Sequence, residues 1–105
     1  MEKLFELEKG FTMTDGSGMK GDCSIRMFED YFELEDKKGK VIRIYYSELS
    51  AVEWAKGVFL KPSCVRMMHT SGQGLANMEF WNKTLHDKGQ EIARIIQEKI
   101  WASKK

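Results

Sequence analysis

The chain has 105 residues, 42% of them hydrophobic and 31% charged. That length and balance predict one folded domain over residues 1–105 and exclude a disordered or proline-rich chain. Lys and Arg number 17 against 16 Asp and Glu, a net charge of +1, which argues against nucleic acid as a partner.

Residues 3–9 (KLFELEK) place Phe5 and Leu7 on one side and Glu6 and Glu8 on the other. Such alternation predicts a half-buried strand, with a short helix as the alternative. Gly10 is expected to end it. Residues 11–21 (FTMTDGSGMKG) read as a mobile loop, with Asp15-Gly16 and Ser17-Gly18 as turn dipeptides. A sharper reading is a nest of backbone N–H groups for an anion, although the spacing is not that of a phosphate-binding P-loop.

Residues 22–36 predict a hairpin. Cys23, Ile25 and Met27 alternate with polar neighbours, the chain reverses near Glu29-Asp30, and Phe32 and Leu34 alternate on the way back. A turn at residues 36–39 (DKKG) leads into a strand over 40–46. There Ile42, Ile44 and Tyr46 share one face, and Val41, Arg43 and Tyr45 the other. Residues 47–50 form a bend or helical turn. A strand over 51–56 carries Val52 and Trp54 on one face. Residues 57–62 (GVFLKP) are a hairpin tip, and because Pro62 cannot donate to a ladder, the next strand is expected at 63–70. After a turn at 71–74, residues 75–81 form the last strand, with Ala76, Met78 and Phe80 on one face.

Residues 83–101 predict an amphipathic helix. Ile92, Ile95, Ile96 and Ile100 form one apolar stripe, with Leu85 two turns earlier. Asn82 or Thr84 is the candidate N-cap, and Gly89 marks either a close approach to the sheet or a later helix start. Residues 103–105 read as a frayed end. Burying one large aliphatic side chain is worth roughly 1.5–3 kcal/mol, so five on one stripe approach the stability of a whole domain. The helix is therefore expected to be structural. Six or seven strands and one helix predict a mainly β, α+β domain, a small sandwich or barrel capped by the C-terminal helix.

This order resembles bacterial pleckstrin-homology-like domains, and an uncharacterised bacterial family among them in particular. The matching stretches are residues 46–54 (YSELSAVEW) and 57–66 (GVFLKPSCVR), followed by a strand ending in Phe80-Trp81-Asn82 and one helix. The resemblance implies a bent antiparallel sandwich of about seven strands closed by the helix. It also implies a binding scaffold. Eukaryotic relatives often bind phosphoinositides through bases around the first strands. The corresponding stretch here has Asp15 and Asp22 against Lys20, with Arg26 the one base of the next strand, which argues against that route.

Neither a cofactor nor a metal is expected. His69 and His86 are far apart, and Cys64 and His69, five residues apart on a strand, fall on opposite faces. No serine or cysteine sits in a nucleophile motif, so an enzyme is not expected. No apolar run is long enough to span a bilayer, and the first ten residues carry charge where a secretory leader needs an apolar core. The sequence thus reads as cytoplasmic. Cys23 and Cys64 are expected to be buried thiols.

The candidate binding surface is the 56–66 hairpin, where Lys56, Lys61 and Arg66 surround Val58, Phe59 and Leu60. The simpler expectation for Phe59 and Leu60 is that they fold back onto the core or pack in an oligomer. Two binding functions follow from the sequence, with a small enzyme of unknown type kept as a further alternative. The first is a protein-interaction or self-associating module joined through an uncovered strand edge. The alternative is a peripheral binder of anionic lipid acting through the hairpin.

Overall fold

A computed structural model describes residues 2–14, 17–75 and 77–103. The expected Asp15-Gly16 turn, Ala76 and the last two lysines lie outside the described residues. The described residues form seven antiparallel strands: β1 (Phe5–Met13), β2 (Cys23–Met27), β3 (Tyr31–Glu35), β4 (Val41–Tyr45), β5 (Leu49–Ala55), β6 (Ser63–His69) and β7 (Met78–Phe80). One helix follows, α1 (His86–Ser103), entered through a 3-10 turn at Lys83–Leu85. The strands form one curled sheet in the order β4-β3-β2-β1-β7-β6-β5.

The curl depends on β1. Gly10 does not end this strand; the strand runs through it to Met13. Its φ of +141° is open to glycine and strained for other residues, and the pairing register shifts between Leu7 and Phe11. The first half of β1 therefore pairs with β2, and Thr12 and Met13 pair with β7. The expected loop is correspondingly shorter, and it is anchored. Met19 is buried in the core, and Thr14 exchanges hydrogen bonds with Asn77 through its backbone N–H and its hydroxyl.

The alternation expected of β2, β3 and β4 is what forms. Cys23, Ile25, Met27, Phe32 and Leu34 are buried, while Val41, Arg43 and Tyr45 face outward. The bend after β4 is a 3-10 turn, Tyr46–Glu48, with the buried Tyr46 hydroxyl donating to the Phe28 carbonyl at 2.8 Å. Here β5 starts two residues earlier than expected. Strand β7 is three residues long instead of seven; among the described residues before it, the Met68–Gly74 bridge, the bond from Leu75 N–H to the Met67 carbonyl and the Thr14–Asn77 bonds hold the chain.

Helix α1 lays Ile92, Ile95, Ile96 and Ile100 into the core with Ala93. Asn82 provides the cap, its side chain accepting from the Thr84 N–H and hydroxyl. Gly89 is the closest approach to the sheet. A Cβ there would stand 2.5 Å from the Trp54 ring and 3.1 Å from Phe80. Of the two expectations for this glycine, close approach is the one that forms.

One backbone N–H of the 11–21 loop, that of Lys20, is taken up from within the chain. The buried carboxylate of Asp36 accepts the backbone N–H of Lys20 at 3.0 Å, and of Lys38 and Lys40 at 2.9 Å each. The Lys20 N–H, then those of Lys40 and Lys38, hold this carboxyl below the usual carboxylate range. Both cysteines are free and buried. They sit on β2 and β6 with β1 and β7 between them, so they are not on neighbouring strands.

Three outcomes test this account. Ending the chain at Asn82 removes the isoleucine stripe and should abolish cooperative thermal unfolding by circular dichroism. Gly89→Ala gains about 1 kcal/mol of helix propensity but forces Trp54 aside, an overpacking cost of about 1–3 kcal/mol, so the urea midpoint should fall. A carboxyl depressed on folding stabilises above its unfolded value of about 3.9, and that contribution is lost as pH falls through the lower folded value. Asp36→Asn should therefore lower stability at neutral pH and flatten its decline on acidification, read from urea midpoints at several pH values.

Candidate functional site

The tip between β5 and β6 is built tightly. The Gly57 N–H donates to the buried Ser63 hydroxyl at 2.8 Å, and the Lys61 N–H donates to the Val58 carbonyl at 2.9 Å. A Cβ on residue 57 would collide with the Lys61 and Pro62 backbone carbonyls, so glycine is required for the tip to close. The strand restarts at Ser63, directly after Pro62.

This frame holds three apolar side chains in solvent. Val58, Phe59 and Leu60 are 68%, 80% and 81% exposed. Phe59 and Leu60 do not fold back onto the core of their own chain: the bond from Lys61 N–H to the Val58 carbonyl closes a turn that carries both outward. Leu60 has a φ of +65°, the left-handed region that normally selects glycine or asparagine in a turn. A branched residue there costs about 1 kcal/mol. Strain of this kind is stored where the surrounding structure over-determines it, and it gathers at binding sites.

Of the residues named from sequence, Lys56, Phe59 and Lys61 come together at this tip, both lysines being exposed. Arg66 does not. It lies within β6, cross-strand from Glu53, and its guanidinium is paired with that carboxylate at 3.2 Å. Trp81, which is 60% exposed, is near in register, since Ser63 pairs with Phe80, and it lines a hollow with Gly10, Thr12 and Leu85 on the β1 side. Alternation already carried the signal for Trp81: with Phe80 in the core, its neighbour must face out. Among the described residues, no ion pair engages Lys56, Lys61 or Lys83.

A second concavity, about 410 Å³, lies inside the curl between β4 and the turn after β6. Met13, Leu34, Ile42, Ile44, Met67 and Leu75 make it mostly apolar. Several of its polar groups are engaged within the chain. Arg43 is paired with Glu33, Glu48 accepts the Tyr45 N–H, and His69 Nδ1 accepts the Ser71 N–H at 3.0 Å. His69 Nδ1 also lies 3.0 Å from the Ser71 hydroxyl, but that oxygen itself accepts from Gln73 N–H, so the pair closes a turn. The Cys23 thiol, pushed up by burial and next by Asp36, is a poor nucleophile. Among the described residues, no three His, Cys, Asp or Glu side chains are grouped to hold a metal, and no helix is long and apolar enough to cross a membrane. No protein-family model matches the chain, and no curated protein does either.

Proposed function

We propose that the chain is a non-enzymatic binding module of pleckstrin-homology-like architecture, akin to the bacterial domains it resembles in sequence, that docks on an anionic membrane surface through the 57–62 tip. The observation that carries this reading is the set of three apolar side chains held 68–81% exposed between two exposed lysines. Single exposed hydrophobics are ordinary on a protein surface; three in succession on a rigid projection are not. Apolar residues that enter the headgroup region beside bases that meet anionic lipid are the composition of an interfacial anchor. Trp81 at the same end of the sheet has the ring type that settles at a membrane–water boundary. Anionic lipid lines the cytoplasmic leaflet, which agrees with the cytoplasmic location expected from the sequence. A protein partner joined through a strand edge, the first function read from the sequence, makes no use of the exposed apolar residues and unpaired lysines of this tip.

Vesicle co-sedimentation tests it. The protein should bind vesicles containing phosphatidylserine at low salt and lose binding as salt rises; phosphatidylcholine vesicles should bind far less. Each base near an anionic surface is worth about 1 kcal/mol, so Lys61→Glu, a change of two charges, should weaken partitioning by about 2 kcal/mol, roughly thirtyfold. Leu60→Gly relieves the strained φ, so it should leave stability equal or slightly higher while weakening vesicle binding. Equal binding to both vesicle types, or none at low salt, would overturn the proposal and leave the tip as a protein contact.

A further inference from the structure

The two edges of the sheet are finished differently. On β5 the register shifts between Leu49 and Ala51, and α1 packs across the strand, with Gly89 on Trp54. Bulging and covering are two of the ways proteins blunt an edge. On β4 neither is present among the described residues. It pairs with β3 in unbroken register over five residues and contains no proline.

The open side of β4 has a definite hydrogen-bonding pattern. The Asp36 N–H bonds the Lys40 carbonyl at 3.0 Å, and the Tyr46 N–H bonds the Asp30 carbonyl at 3.2 Å. Bonded pairs alternate along an antiparallel ladder, so Ile42 and Ile44 also bond inward to β3. Val41, Arg43 and Tyr45 therefore aim their backbone groups outward. The Tyr45 N–H is taken by Glu48 Oε1 at 3.2 Å. Among the described residues, nothing bonds the outward N–H groups and carbonyls of Val41 and Arg43, which leaves them for a further strand.

The side chains favour pairing. Val41 and Tyr45 are 48% and 40% exposed. A charge on an edge strand normally repels a neighbour, but Arg43 is drawn back. Its Nε and Nη2 donate to Glu33 Oε2 at 3.1 and 2.8 Å, and the guanidinium lies 4.2 Å over the Tyr31 ring. The two ends of the strand differ in charge. Lys37, Lys38 and Lys40 lie at its start; Glu48 follows its end, where Glu29 and Asp30 line a hollow with Tyr45.

We propose that two copies of this chain pair through β4, antiparallel about a two-fold axis at Ile42, joining their sheets edge to edge. In that register Val41 of each copy exchanges both backbone bonds with Arg43 of the other, giving four N–H···O bonds. Ile42 faces Ile42 of the second copy across the axis. The lysine-rich start of each strand meets the acidic end of the other, a complementarity that a parallel pairing lacks. Shifting the axis to Arg43 would instead set two guanidinium groups opposite each other, which is unfavourable. This surface is separate from the 57–62 tip.

Sedimentation velocity of the full chain, with cross-linking, tests the pairing. A concentration-dependent dimer is expected. Val41→Pro removes an N–H that points away from β3, so the variant should keep its circular dichroism and melting behaviour while dimerisation weakens at least tenfold. Residues facing each other at a non-bonded antiparallel site have Cα atoms about 4.5 Å apart, within disulfide reach. Under mild oxidation Ile42→Cys should give a disulfide-linked dimer, whereas Tyr45→Cys, displaced from the axis, should not. A strict monomer at high concentration, a folded Val41→Pro protein that dimerises as before, or cross-linking no greater at 42 than at 45 would each overturn the proposal.

Discussion

Helix α1 can lie against the sheet because residue 89 has no side chain. The Trp54 ring and Phe80 occupy the space where a Cβ would stand. That contact sets the depth of the helix, and the depth decides whether Ile92, Ile96 and Ile100 reach the interior; all three are at most 1% exposed. A larger residue would lift the first turns away and open the core from that end. The glycine weakens the helix by about 1 kcal/mol of propensity, and the burial it permits is several times larger. Local preference yields here to packing.

A second glycine does comparable work in the sheet. Seven strands of this length would leave two separate half-sheets unless one strand served both. Gly10, with its φ of +141° and the register shift beside it, lets β1 turn from β2 to β7 without a break. The Leu85 side chain, at the entry to α1, packs where a Cβ of Gly10 would be. The bend in β1 and the docking of the helix are thus physically connected: the 3-10 turn that delivers α1 rests on the strand that curls the sheet.

Much of this was legible in the sequence because period-two alternation and the 3.6-residue stripe each bury one face. Ile25, Phe32, Leu34, Ile92 and Ile96 are in the core for that reason. What local reading missed depends on distant partners. Gly10 looks like a strand end until β7 is known to wait beyond it. Asp36 looks like a solvated turn acid until the N–H of Lys20, sixteen residues earlier, is found on it. Arg66 looks like part of a basic ring until the strand register places Glu53 opposite. For Phe59 and Leu60 the sequence left both exposure at a hairpin tip and burial open, and composition alone could not choose between them.

Two places remain where the chain breaks the rules it follows elsewhere. One is the tip, where three apolar side chains stand in water and a leucine occupies a glycine conformation. The other is the outer side of β4, where backbone donors and acceptors are left for another strand. Neither is needed to close the core. Gly57 and Ser63 would hold a polar tip as firmly as this one, and a proline at Val41 would cost the sheet no ladder bond. When a sequence is consistent at every level except a few surface positions, those positions are where function is to be sought. The tip offers apolar area beside positive charge, which a lipid headgroup layer can meet. The β4 edge offers ordered hydrogen-bonding groups with opposite charges at its two ends, which suits an inverted copy of the same strand. The difference in chemistry is the reason to assign the two surfaces to different partners.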